Sequence, residues 1–286
     1  LASVGATGSI NFMIIGFCMG VCNGFAIPVA QRFGAKDEHG MRKFVANSVW
    51  LSIIFAVVMA VLVCVFCRQI LELMNTPEDI IDGSYSYIFV IFLGIPATYM
   101  YNLLSGIMRS LGDSKTPLYL LIFSSILNII LDLLSIIVLK MGVAGVAVPT
   151  VVSRCVAAVV ILLLVAKPNQ ELCLKWGAIC HADGKMMGSI LRIGVPNACE
   201  NSFFQLGRLI VVSMIALFGT VQTSANAVAN TLDGVGIIIG QAMGLAMVTV
   251  VGQCVGAGDP AQVRYYVKKL MLWSYLSMAV CNVLII

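Results

Sequence analysis

The sequence predicts an all-α, polytopic membrane protein, and three observations carry that prediction. Hydrophobic residues make up 60% of the 286 positions and charged residues only 10%, whereas an ordinary soluble domain carries about 25% charged residues. Charge-poor runs long enough to cross a bilayer recur eight times. A stretch around Gly34 is echoed around Gly256. So apolar a chain, with a mean hydropathy of +1.01, holds more hydrophobic surface than a globule of this size can bury. A soluble enzyme and a disordered tail are both excluded.

The runs follow in order. Residues 10–30, 44–67 and 83–108 contain no charge. Residues 116–139 contain only Asp132, and 141–166 only Arg154. Residues 193–218 contain Glu200 and Arg208, and 227–252 only Asp233. Residues 270–286 are apolar to the last position. A membrane helix needs about 20 mainly apolar residues. Helices are the only open-ended solution, because they satisfy their own backbone in hydrocarbon. The alternating strands of a barrel are absent. No basic leader precedes the first run. Ten cysteines do not imply a disulfide scaffold, because Cys18, Cys22, Cys155, Cys199, Cys254 and Cys281 lie inside apolar runs and read as small hydrophobes.

Charge orients the bundle. Loops after the first, third, fifth and seventh runs hold thirteen Lys and Arg, from Arg32 to Lys269, whereas the opposite loops hold Arg68 and Lys140. The basic side is expected to be cytoplasmic, which places Leu1 outside, in a plasma or inner membrane.

The echo is a repeat. Shifted by 222 residues, Val29, Gln31, Gly34, Ala35, Asp37, Arg42 and Val45 fall on Val251, Gln253, Gly256, Ala257, Asp259, Arg264 and Val267. An even number of runs separates the copies, so the two halves are parallel, as in transporters built from two related bundles. The same shift sets the counterpart of residues 193–218 before Leu1, and the counterparts of runs three to five beyond Ile286. The expectation is twelve helices in two six-helix lobes: residues 1–166 an N-lobe without its first helix, 167–192 a cytoplasmic linker, and 193–286 the first three helices of a C-lobe.

An ionisable residue near a helix centre costs roughly 2.5–3.5 kcal/mol on insertion scales and marks function by default. Asp132 lies eight residues before Lys140, hence about 12 Å below the outer surface. Asn128 is one turn deeper on the same face, and Thr150 reaches a similar depth on the next helix after a tight turn. A carboxylate, an amide oxygen and a hydroxyl at one level suit a hard cation or a proton; the plainer role is polar glue between helices. Arg154, one turn from Thr150, is either an ion-pair partner of Asp132 or a gating charge. Glu200 follows Gly194 and Pro196; it is a second cation site or a partner of Arg208, although about 80° of helical rotation separates the two. The repeat sets Asp233 opposite Asn11, which suggests a shared cavity-facing level. Methionines and aromatics such as Tyr99, Tyr101, Phe203 and Phe204 suit an adaptable cavity for apolar cations, or ordinary core. Cys64 and Cys67 have no companion His or second pair, so no metal site is expected. No phosphate loop, HExxH or nucleophile constellation occurs. The chain reads as no enzyme, and as driven by an ion gradient with H⁺ or Na⁺ as coupling ion and no cofactor.

These motifs together resemble the multidrug and toxic compound extrusion family of cation-coupled antiporters. The carriers are Gln31-Arg-Phe-Gly-Ala-Lys-Asp37 with its echo Gln253-Cys-Val-Gly-Ala-Gly-Asp259, Gly94-Ile-Pro96 followed by Met108-Arg-Ser-Leu-Gly-Asp-Ser-Lys-Thr-Pro117, Asn128-Ile-Ile-Leu-Asp132, and Gly194-Val-Pro196 leading to Glu200. The resemblance implies twelve helices in two lobes, with these runs as helices two to nine. It implies an N-lobe cation site at Asn128, Asp132 and Thr150, and a seventh-helix acid at Glu200; the intramembrane positions themselves, not the resemblance, add Arg154, Arg208 and Asp233 as candidate cavity charges. It implies export of small organic, chiefly cationic, compounds by alternating access, from a monomer in contact with lipid and with no nucleic acid. The rival within the same superfamily is a lipid-linked oligosaccharide flippase. A flippase would want an Arg- and Lys-rich cavity for its pyrophosphate, whereas the intramembrane charges here are three acidic and two basic.

Overall fold

The structure, a computed structural model, describes residues 2–73, 78–139, 144–166, 183–216 and 218–285. Every regular element among the described residues is a helix. They are α1 (Ala2–Gly34), α2 (Glu38–Val65), α3 (Cys67–Leu73), α4 (Glu78–Leu93), α5 (Ile95–Ser110), α6 (Lys115–Leu133), α7 (Ala144–Val165), α8 (Gly184–Ala216), α9 (Thr220–Gly256) and α10 (Pro260–Ile285). A π-helical turn, Leu134–Val138, continues α6.

Among the described residues, each expected run falls chiefly on one of these helices, except the third. The third run is split at Gly94 into α4 and α5, bent by 42°. Pro96 explains the break. It has no N–H to continue the ladder, and its ring crowds the carbonyl four residues back. Five helices are long and apolar enough to cross a membrane, or six with the bent pair counted as one. The expected eight therefore exceed what length and apolarity support among the described residues. The difference lies in α8, which carries Lys185, Arg192, Glu200 and Arg208, and in α10, which opens with Arg264, Lys268 and Lys269.

Helix α1 is the hub and packs against α2, α4, α5, α8 and α9. Its buried positions Ile14, Cys18, Val21, Phe25 and Val29 recur at helical spacing along one stripe. Small residues let α8 approach closely. A Cβ added at Gly24 would lie 2.5 Å from the Cα of Gly194, and one at Gly20 would lie 3.0 Å from that of Ala198. Membrane helices associate through such small-residue contacts, because lipid supplies no hydrophobic drive between them. The outer faces of α2 and α6 stay apolar and exposed, as at Val61, Tyr119, Ile126 and Ile129. That is the surface a lipid-facing helix presents.

The sequence repeat has a structural counterpart. Asp37 N donates to Arg32 O (3.1 Å) and Asp259 N to Cys254 O (3.4 Å), both six-residue closures. Lys36 has φ 57° and Gly258 φ 71°, the left-handed turn that ends a helix. Asp37 Oδ1 then accepts Gly40 N at 2.9 Å, and Asp259 Oδ1 accepts Ala261 and Gln262 N at 3.0 Å. A third loop uses the same device. Gly112 has φ 91°, and Asp113 Oδ1 accepts Lys115 N at 3.1 Å and Thr116 N at 3.0 Å.

Part of the expected linker is helical. Residues 184–192 are the opening turns of α8, started by Asp183, whose Oδ1 accepts Lys185 N at 2.9 Å. Residues 167–182 lie outside the described residues.

Candidate functional site

Helices α6 and α7 pack directly on each other. Ser124 Oγ donates to Ser153 O at 3.2 Å and fixes their register. One turn further along α6, Asn128 Nδ2 donates to Thr150 Oγ1 at 3.4 Å. The Thr150 hydroxyl in turn donates to Val146 O at 3.2 Å. The structure thus brings Asn128 and Thr150 together. Asp132, one turn on, keeps Oδ1 out of solvent with no hydrogen-bond partner among the described residues. Tyr87 of α4 lies within electrostatic reach of it. An orphaned carboxylate oxygen kept out of solvent is costly unless something binds it. Two residues after Asp132 the π-helical turn begins, with Leu139 N donating to Leu134 O at 3.1 Å. Such turns concentrate at functional positions.

Arg154 does not pair with Asp132. Among the described residues it makes no ion pair, and its guanidinium lies 5.8 Å from the Tyr101 ring centroid. Glu200, Arg208 and Asp233 are all exposed, and none lines the cavity described next. Asn11, the repeat mate of Asp233, does line it, with its buried Oδ1 unpartnered among the described residues. No three His, Cys, Asp or Glu side chains among the described residues gather as a metal site.

The cavity holds about 480 Å³ and runs between α1, α4, α5, α6 and α7, with Leu245 of α9 at one wall. Its apolar lining includes Ile15, Met19, Ile91 and Leu121; its polar lining includes Asn11, Asn23, Thr98, Asn102 and Thr150. The charged side chains that line it are Arg109 and Arg154. Sequence reasoning missed Arg109 as a cavity group because it counted that residue among the loop charges. A signal was present: Thr98, Tyr101, Asn102 and Arg109 follow helical spacing and mark a polar stripe on α5.

At the basic end the two repeats touch. A Cβ at Gly34 would lie 2.6 Å from Gln253 C and 2.7 Å from its Cα. A Cβ at Gly256 would lie 2.6 Å from Gln31 C and 2.8 Å from its Cα. Each glycine is the repeat mate of the other, and so is each glutamine. The contact is therefore reciprocal, like a two-fold interface between subunits. Gln253 Nε2 donates to Ser110 O at 2.8 Å, and Ser110 Oγ donates to Ala26 O at 3.2 Å, which ties α5 into the same crossing. Nearby, Asp113 is held below the usual carboxylate range. Partial burial opposes ionisation there, but the Thr116 hydroxyl, the Thr116 and Lys115 amides and the Lys115 charge outweigh it.

The MatE family matches the chain over residues 1–134 and 196–286. The probable multidrug resistance protein YoeA of Bacillus subtilis is 28% identical over all of this chain. The probable multidrug resistance protein NorM of Thermotoga maritima is 24% identical, also over all of it. The chain spans 63% and 62% of those two proteins. A solved structure, the outward-facing conformation of a multidrug resistance MATE family transporter, superposes with a TM-score of 0.86 at 23% identity; it covers 96% of this chain and 60% of its own. The helical bundle, its repeat and these matches agree, and the chain belongs to the MatE family, a family of membrane transporters rather than of enzymes.

Proposed function

We propose that the chain works in a secondary transporter that exports small organic compounds by alternating access, with H⁺ or Na⁺ entering at Asp132. The observation that carries this reading is the orphaned Oδ1 of Asp132 one turn from the Asn128–Thr150 pair. Proton or sodium binding neutralises that carboxylate and changes which conformation is favoured. The ion shifts the equilibrium only by its differential affinity for the two states. The likeness to multidrug resistance proteins supports organic cargo. Cationic cargo would meet Asp132, and Glu200 and Asp233 wherever those exposed residues face a completed path. The reciprocal glycine contact at the basic end supports a state closed on the cytoplasmic side, with Leu1 outside, in a monomer of the cell membrane.

One observation favours a second reading. The two arginines of the cavity lining suit the pyrophosphate of a lipid-linked oligosaccharide flippase. The volume of about 480 Å³ favours a drug-sized ligand instead.

Gradient-driven dye efflux from vesicles, with H⁺ and Na⁺ gradients imposed in turn, tests the proposal. Asp132→Asn should reduce efflux to the gradient-independent leak. Efflux equal to that of the unsubstituted protein would remove Asp132 from coupling.

A further inference from the structure

The lining of the cavity carries an unbalanced charge. Arg109 enters from α5 and Arg154 from α7, two helices that pack directly on each other. No carboxylate lines the cavity, and among the described residues neither guanidinium makes an ion pair. Tyr101 lines the same cavity. Arg154 lies over its ring at 5.8 Å, and Arg109 is within electrostatic reach of its phenol. The Tyr101 hydroxyl is already used, since it donates to Pro117 O at 3.1 Å. That bond pins the ring and leaves its face to Arg154. Asn102 spends one amide hydrogen on Thr98 O at 2.9 Å. Two guanidinium groups therefore border a half-buried space that offers amides, hydroxyls and one aromatic ring, but no carboxylate. A charge taken out of water without a partner is strongly disfavoured. Guanidinium also matches carboxylate and phosphate geometry through two parallel hydrogen bonds. The remaining walls, Ile15, Met19, Ile91 and Leu121, suit an apolar or aromatic body.

We infer that this cavity is an oxyanion subsite. Its ligand is an amphiphilic organic molecule whose carboxylate, or a phosphate of the same charge, docks on Arg109 and Arg154 while its apolar body lies against α1 and α4. The inference deepens the transporter reading by naming a substrate class, and it is independent of which ion enters at Asp132.

The test uses the purified protein in detergent and a matched series on one naphthalene ring, a carboxylate, its methyl ester and a methylammonium, with affinities measured by calorimetry. The carboxylate should bind most tightly. Arg154→Gln and Arg109→Gln should each weaken it roughly ten- to a hundredfold, the range for a charge-assisted hydrogen bond. Both should leave the ester unchanged, and Arg154→Lys should recover part of the loss. Phosphatidylglycerol micelles distinguish the source of the oxyanion. Displacement of the carboxylate by them, abolished in the Gln variants, makes a lipid headgroup the occupant; no displacement makes it a soluble organic acid. Equal binding of carboxylate and ester by the unsubstituted protein would overturn the subsite, and so would equal loss of both ligands in the Gln variants. Efflux in vesicles reports separately on the transporter reading. Asp132-dependent efflux of the methylammonium probe with no carboxylate binding would sink the subsite alone. Carboxylate binding without gradient-driven efflux of any probe would sink the transporter reading alone.

Discussion

Gly34→Ala should open the basic end of the molecule. The added Cβ would lie 2.6 Å from the carbonyl carbon of Gln253 and 2.7 Å from its Cα, whereas carbon atoms rest at about 3.5–4.0 Å. The obstacle is backbone, so no rotamer change relieves it, and α1 and α9 must part by about 1 Å at the crossing. Overpacking of this kind costs about 1–3 kcal/mol. The cost falls only on the closed state, so the closed population should drop roughly 5- to 150-fold relative to the open one. Double electron–electron resonance reads the effect directly. In a variant freed of native cysteines, spin labels at the exposed, repeat-related His39 and Ala261 report the separation of the two loops. Gly34→Ala should move most of the distribution to longer distances. Gly256→Ala should do the same, because the contact is reciprocal. Gly188→Ala is the control, since a Cβ there meets nothing within 4 Å. A distribution left in place by both crossing variants, or moved equally by the control, would refute the closure argument.

Other predictions concern the neighbouring devices. Asp113→Ala removes the acceptor of two backbone amides at the start of α6 and should destabilise the protein by about 0.5–2 kcal/mol at neutral pH in thermal melts. Because Asp113 ionises below its ordinary range, its contribution is present above about pH 4 and lost as the pH falls through the lowered value. The gap between Asp113→Ala and the parent should therefore narrow on acidification. Thr150→Val keeps the shape but removes the acceptor of Asn128. The lost bond is long at 3.4 Å, so melts should shift by less than about 1 kcal/mol while ion-dependent efflux falls. Tyr101→Phe strips the Pro117 carbonyl of a buried donor and should cost about 1 kcal/mol of stability, with carboxylate binding retained because the ring stays under Arg154.

Depth counting along α6 and α7 was enough to set Asn128 level with Thr150, because a helix rises by a fixed amount per residue and few residues separate the two apolar runs. The repeat likewise foretold matched loops, and Lys36 with Gly258 and Asp37 with Asp259 reproduce one turn geometry. Lateral direction was less legible. Arg154 lies one turn past Thr150 in the direction away from Asp132, near the level of Ser124, and it reaches across to Tyr101 of α5, a choice set by how three helices pack and not by any one of them. Glu200 and Asp233 are exposed for the same reason: a helix's apolar pattern is nearly uniform in a membrane protein, so it says little about which side meets a neighbour. The elbow within the third run was written in Gly94-Ile-Pro96, whose motif stood out before its geometry did.

That elbow has a mechanical consequence. The side chain of Val151 fills the space above Gly94, where a Cβ would lie 2.7 Å from Cγ2 and 3.0 Å from Cγ1. Val151 directly follows Thr150 and precedes Arg154 by less than one turn of α7. Straightening α4 against α5 would drive the Gly94 backbone into that valine, and α7 would have to yield as a rod. The Thr150 hydroxyl that accepts from Asn128 and the guanidinium over the tyrosine would then be displaced in a single stroke, so that the joint in one helix pair becomes a lever on its neighbour.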